Sequence, residues 1–314
     1  MTSSPLNMKS WLLALILGAG INAASAAPVY LGAAADYTLL STGTPWTSQG
    51  GGSLILGVEA EIYGNVGARQ YLGYGNGVTI HGNSDLGSSG FLSAAPDVQV
   101  DQQRPLDDDL WLSLYQDLTA ASAYAAGLSG QSLSAIHNTT TLNSSGGLTV
   151  FHLDGDIALG SGQSLTFKGN RSDQFIVNIS QGLNLQAGSA ILFEGVQAEN
   201  VLFNFVGPSF SHSVSIDGNG APTRVGGIFL GANTHFSLGD GLVTPDGIQV
   251  LASGIIGNLQ RVEGFDHREQ PTARVTEPGA LWLFAIGLVC LGIIRRRKPV
   301  THKNASLFSL SSAK

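Results

Sequence analysis

The stretch 165–196, LTFKGNRSDQFIVNISQGLNLQAGSAILFEGV, decides the fold. Its apolar pieces are short: Leu165-Thr166-Phe167, Phe175-Ile176-Val177-Asn178-Ile179, Leu183-Asn184-Leu185 and Ile191-Leu192-Phe193. They are rich in the β-branched and aromatic residues that suit a pleated surface, and Gly, Asn, Asp and Ser punctuate them as turn formers. The same rhythm continues in both directions. Thr149 to Leu153 precedes it; Val201 to Phe205, Val214 to Ile216, Ile228 to Leu230, Phe236 to Leu238 and Ile248 to Val250 follow. Strands spaced at roughly eight to twelve residues fit a β-sandwich or a β-solenoid. Three features favour the solenoid. Many strands are only three residues long, strong hairpin signals are scarce, and FKGNRSDQFIVNIS (167–180), LQAGSAILFEGV (185–196) and FLGANTHFSLGDG (229–241) repeat a strand-turn-strand phrase loosely. The expectation is a mainly β chain forming a right-handed β-solenoid (β-helix). One coil cannot bury its inner face alone, so the coils must stack.

Toward the N-terminus, Leu31 to Tyr37 opens the domain and Ser41 to Ser53 reads as a turn region. Leu54 to Val58, Glu61 to Tyr63 and Val78 to Ile80 are further short strands. One helix interrupts them at about 106–126. Pro105 sits where a first helical residue is tolerated, and Asp107, Asp108 and Asp109 suit the positive end of the helix dipole. Leu110, Trp111, Leu114, Leu118, Ala121 and Ala125 recur at helical spacing, and Gly127 ends the run. This helix is expected to lie along the stack and cover exposed core, with Trp111 and Tyr115 packing inward.

The two ends carry address signals. Residues 1–26 have a cation (Lys9), a short apolar core (Trp11 to Leu17) and small residues at Ala24 and Ala26, the layout of a cleavable secretory signal helix. Ala280 to Ile294 is uncharged, with Leu281, Trp282, Leu283, Phe284, Ile286, Leu288, Val289, Leu291, Ile293 and Ile294. Arg295, Arg296, Arg297 and Lys298 follow directly. An apolar helix with a cationic stop reads as a membrane anchor whose basic end stays in the cytoplasm. The chain therefore divides into a signal peptide (1–26), a solenoid domain (27–268), a linker (269–278), a transmembrane sorting segment with its basic cluster (279–298) and a tail (299–314).

Composition narrows the function. Charged residues make up only 12% and there are 42 glycines, which is unlike a helix-rich globular domain. A net charge of −7 argues against nucleic-acid binding, which uses a basic stripe. The single cysteine, Cys290, lies in the apolar C-terminal run, so the domain has neither disulfides nor cysteine-ligated metal. Asp154, Asp156, Asp217 and Asp240 are weak calcium candidates, but Asp-Gly pairs form ordinary turns and show no EF-hand spacing. His152, His212, His235 and His267 form no close-spaced ligand pair. Asp266-His267-Arg268-Glu269 reads as a charged linker, and Asn138 and Asn170 head sequons that match by chance composition. No nucleophile elbow, P-loop or dinucleotide fingerprint is present. No cofactor and no catalytic residue is expected.

Val275-Thr276-Glu277-Pro278, the apolar helix and the Arg cluster together resemble the PEP-CTERM sorting signal, with Thr276 where the first Pro usually stands. That resemblance implies recognition by an exosortase in a Gram-negative bacterium that makes exopolysaccharide. Leu31-Gly32-Ala33-Ala34, Val150 to Gly155, Phe175 to Ile179, Asn200 to Phe205, Gly226 to Ala232, Gly254 to Asn258 and Gly264 to His267, in that order, resemble the choice-of-anchor A family. It implies an adhesive β-helix domain without catalytic residues. The Leu-Gly-x-Ala opening and the helix beside the stack also resemble the ice-binding β-solenoid family, although Thr139, Thr140 and Thr141 do not recur as a ladder. The leading expectation is a non-catalytic adhesive protein. It is exported and membrane-tethered, and then passes to the cell surface or extracellular matrix. Signal peptidase and exosortase would process it, and exopolysaccharide or cell-surface ligands would be its partners. Ice binding and a polysaccharide-acting β-helix enzyme are the alternatives.

Overall fold

A computed structural model describes residues 27–43, 51–206, 213–257 and 261–265. After a 3-10 turn at Gly32–Asp36, the N-terminal block holds β1 (Tyr37–Ser41), β2 (Ser53–Leu56), β3 (Glu61–Tyr63), β4 (Asn65–Ala68), β5 (Tyr71–Tyr74), β6 (Thr79–Gly87), β7 (Phe91–Ala94) and β8 (Gln99–Leu106). Helix α1 (Asp108–Gly127) follows. The C-terminal block then contributes β9 (Gln131–Ile136), β10 (Thr140–Asn143), β11 (Leu148–Leu159), β12 (Ser164–Lys168), β13 (Gln174–Ile179), β14 (Leu183–Leu185) and β15 (Ala190–Glu194). It continues with β16 (Val201–Phe205), β17 (Ser213–Ile216), β18 (Thr223–Arg224), β19 (Gly227–Leu238), β20 (Leu242–Val243), β21 (Ile248–Gly257) and β22 (Arg261–Glu263). Every strand pairing in the described residues is parallel, and β6, β8, β9, β11, β19 and β21 each run from one face of the coil into the next. The result is a three-faced parallel β-solenoid.

Side-chain alternation fills it. Phe175, Val177 and Ile179 of β13 point into the coil, over Thr149, Phe151 and Leu153 of β11 and under Val201, Phe203 and Phe205 of β16. Ring pairs join these layers: Phe203 stacks on Phe229 at 4.7 Å, and Phe167 meets Phe175 edge-on at 5.2 Å. The intervening residues Ile176 and Leu202 are also buried, because α1 covers the outside of this first face. Burial on both sides explains why FIVNI and VLFNF are nearly continuous apolar runs rather than alternating ones.

The stack is not in sequence order. β1 lies between β21 and β4, with Leu39 beside Val250 on one side and Val66 on the other. Two further contacts, β2 on β21 and β22 on β3, complete this seam around the coil. From there the N-terminal coils grow outward to β7 and β8 at one end. Helix α1 returns along the first face, and β9 starts the other end. Later coils climb back until β21 and β22 close on the block that folded first in sequence. Coil length differs between the blocks: Asn178 and Asn204, in register, are 26 residues apart, whereas Asn65 and Asn83 are 18 apart.

Helix α1 has 20 residues, about 30 Å at ~1.5 Å per residue, enough to cross about six coils at ~4.8 Å each. Trp111, Leu114, Leu118, Ala121 and Ala125 are buried against Leu40, Val150, Ile176, Leu202, Ile228 and Leu251. Two expectations need correcting. Pro105 is not helical: it lies in β8 on an end strand, where its missing N–H costs no ladder bond. Leu110 is exposed, because the buried stripe begins at Trp111. A polar ladder fixes the helix's second half. His152 Nε2 lies 2.8 Å from the carbonyl of Leu128; Asn178 donates to the carbonyl of Ala125 at 2.9 Å and Asn204 to that of Ser122 at 3.0 Å. Three helical residues rise about 4.5 Å, close to one coil spacing of ~4.8 Å, so one side chain per coil meets one carbonyl per three residues.

Candidate functional site

The three faces differ in what they offer a partner. The first lies under α1. The third, built from β10, β12, β15, β18, β20, β22, β3 and the starts of β6 and β8, is charged. Lys168 pairs with Glu194 at 3.0 Å, Arg224 with Asp246 at 2.7 Å, and Arg261 with Glu263 at 3.0 Å and Glu61 at 3.5 Å. At the seam the Tyr63 ring stacks on His81 at 4.3 Å, with the Arg261 guanidinium 4.8 Å from its centroid. Glu61 accepts the Tyr63 hydroxyl at 2.7 Å. That bond, then the one to His81, holds the Glu61 carboxyl below the usual range, and the Tyr63 phenol is raised in turn. These groups satisfy one another across the chain's closing contact, which is a structural role.

The second face is different. It comprises the end of β11, then β14, β17, the ends of β19 and β21, β2, β5 and β7. Its central outward row runs Ala158, Asn184, Ser215, Ser237, through position 256, to Ile55, Gly73 and Ser93. No residue in this row is charged. Seven spacings of ~4.8 Å make it about 34 Å long. The inward neighbours, such as Leu183, Val214, Ile216 and Phe236, are buried in the coil. At the β7 end an adjoining row adds Tyr71 and the 65%-exposed Phe91, whose rings stack at 6.0 Å. Sequence reading missed this face, because most residues of its central row are single Ala, Asn, Ser and Gly whose register appears only once the coils are stacked.

The residues singled out in the sequence fall in several places. Asp156 lies 2.8 Å from His137, and Asp217 accepts the backbone N–H of Asn219 at 2.9 Å as a turn former. Asp154 and Asp240 are exposed. Among the described residues, no group of three or more His, Cys, Asp or Glu lies close enough to hold a metal ion. His235 is half-buried, and burial lowers its pKa. Thr141 pairs in register with Thr166, so two threonines do align on neighbouring coils, but the third position is Leu192. Ala24, Ala26, His212, Asp266 to Glu269, Val275 to Pro278, Ala280 to Ile294 and Arg295 to Lys298 lie outside the described residues. No described helix is long and apolar enough to cross a membrane.

The opening Leu31-Gly32-Ala33-Ala34 has a clear local role. Gly32 adopts φ +57° facing Asp117, where a Cβ would overlap the carboxylate, and Ala34 is fully buried beneath α1. The parallel solenoid with its one helix is similar in fold to solved ice-binding proteins. The structure of an ice-binding protein from an Antarctic Flavobacteriaceae bacterium superposes with a TM-score of 0.53 at 19% identity, covering 78% of this chain and 51% of that one. Two others are similar at a TM-score of 0.47. The ice-binding protein of the Antarctic ascomycete Antarctomyces psychrotrophicus is 17% identical, over 75% of this chain and 97% of that one. One from an Antarctic biological consortium is 20% identical, over 85% and 98%. The family described as "Putative Ice-binding-like adhesive domain" matches residues 24–244, and the chain belongs to it. No curated protein matches the sequence.

Proposed function

We propose that this protein is an exported adhesive domain that lays its second face against an extended ordered surface, and that ice is that surface. The observation that carries the reading is the uncharged central row from Ala158 to Ser93, one residue per coil, which is Ala, Asn, Ser or Gly except at Ile55 and position 256. A row with no charges to desolvate can meet a rigid lattice along its length, except at Gly73, which the Tyr71 ring covers. The adhesive family and the ice-binding fold support it. Purified protein should then shape ice crystals, show thermal hysteresis and partition into growing ice. Partition no greater than that of an unrelated protein of similar size would sink the proposal.

A second reading is favoured by the Tyr71 and Phe91 rings beside that row: they offer platforms for a polysaccharide of the cell's own matrix. A deletion strain with unchanged aggregation and matrix binding would rule it out. For either surface, residues 1–26 would direct export through signal peptidase. The segment from Val275 to Lys298 would tether the domain and present it to an exosortase, a reading supported by its likeness to PEP-CTERM signals, and the likeness to choice-of-anchor A proteins supports a cell-surface address. Mass spectrometry of the mature C-terminus tests the processing step.

A further inference from the structure

Helix α1 covers the first face only as far as Gly67, where a Cβ would come within 3.2 Å of the Trp111 ring. Beyond that point the outward positions in register are Asp85 and then Arg104. They line a hollow of about 510 Å³ between the last N-terminal coils and the start of the helix. Earlier in the same row the side chains are Leu230, Leu251 and Leu40. An Arg–Asp pair costs desolvation that an apolar pair in this row would avoid, so its presence at a cavity calls for a reason.

The pair is tightly built. Asp85 is fully buried, and its two oxygens accept Arg104 Nε at 2.7 Å and Nη2 at 2.6 Å. The Tyr37 hydroxyl donates to the same carboxylate at 2.6 Å. Burial, then this bond, pushes the Tyr37 phenol far up, so it stays a neutral donor. Arg104 is thereby held in one orientation while its side chain remains 38% exposed at the hollow. Asn65 and Asn83 add amides to this wall, and the exposed Asp36 adds a carboxylate. The opposite wall is apolar: Leu106, Leu110 and Leu114. Asp36 and Asp85 against Arg104 leave a net charge of −1, which disfavours phosphate and uronate groups.

We infer that this hollow binds one neutral sugar residue, its hydroxyls on the Asn83–Arg104–Asp36 wall and its C–H face on the leucines. One polar and one apolar wall suit a pyranose, and pockets of ~300–1,000 Å³ commonly hold small ligands. The site is separate from the second face, so the two readings fail independently. The test uses the full chain with the methyl glycosides of glucose, galactose and mannose, followed by saturation-transfer NMR and calorimetry. Saturable millimolar binding of at least one is expected. Methyl glucuronide and inorganic phosphate should bind about tenfold or more weakly. Leu110→Trp, at an exposed position that does not support the core, should weaken binding about tenfold or more with an unchanged melting temperature. Asn83→Ala should do the same, and Ser237→Arg on the second face should leave sugar binding intact. No saturable binding of any neutral glycoside would overturn the inference. So would glucuronide or phosphate binding as tightly as the neutral sugars, an unaffected Leu110→Trp, or loss of binding in Ser237→Arg alone.

Discussion

Asn204→Leu probes the ladder that holds α1 on the solenoid. Asn204 is fully buried. It donates to the Ser122 carbonyl at 3.0 Å and to Asn178 Oδ1 at 2.7 Å, and it accepts the Ser122 hydroxyl at 2.7 Å. Leucine conserves the volume, so cavity formation contributes little. Each lost bond is worth about 1 kcal/mol net, and the stranded Asn178 oxygen adds about 1–3 kcal/mol because it is buried. Ser122 is half-buried and can turn its hydroxyl to solvent, so it adds little. The sum is about 4 kcal/mol, a melting-temperature loss of about 8–16 °C for a domain of this size. Urea melts followed by circular dichroism measure the loss. A variant that costs under about 1 kcal/mol would refute the reasoning.

Three other outcomes are expected. The indole N–H of Trp111 is buried without a hydrogen-bond partner, so Trp111→Phe should melt within a few degrees of the native chain, whereas Trp111→Ala should cost about 3–5 kcal/mol; thermal melts separate the two. Gly67→Ala should destabilise by about 1–3 kcal/mol in the same assay, because its Cβ would sit 2.8 Å from the Tyr37 ring and 3.2 Å from Trp111. At the seam, Glu61 has a folded pKa below its unfolded value, so its stabilisation is present above the unfolded carboxyl pKa of about 4.3 and is lost as pH falls through the folded one. Melting temperature should therefore drop on acidification below about pH 4.5, and Glu61→Gln should lessen that drop.

The sequence showed the solenoid because β13 and β16 are buried on both faces and therefore read as strong apolar runs. The helix was legible from the spacing of Trp111, Leu114, Leu118, Ala121 and Ala125, and it lies along the stack as expected. Strands β7 and β8 were not legible. They form an outermost coil, with Phe91 to Ala94 and most of Gln99 to Leu106 open to solvent, so no apolar alternation marks them. The order of stacking was hidden for another reason. Nothing local in Leu39 or Val250 says that they will lie side by side; only the completed stack pairs them. The same holds for the second face and for Asp85 and Arg104, which lie 19 residues apart in sequence and meet only when register aligns them.

The central claim is that the second face makes the contact. Ice-affinity partition of Ser215→Arg/Ser237→Arg, compared with Thr141→Arg on the third face, tests it most directly. The account predicts that the paired substitution abolishes partition while Thr141→Arg behaves as the native chain. Equal partition of all three proteins, or loss only in Thr141→Arg, would contradict it.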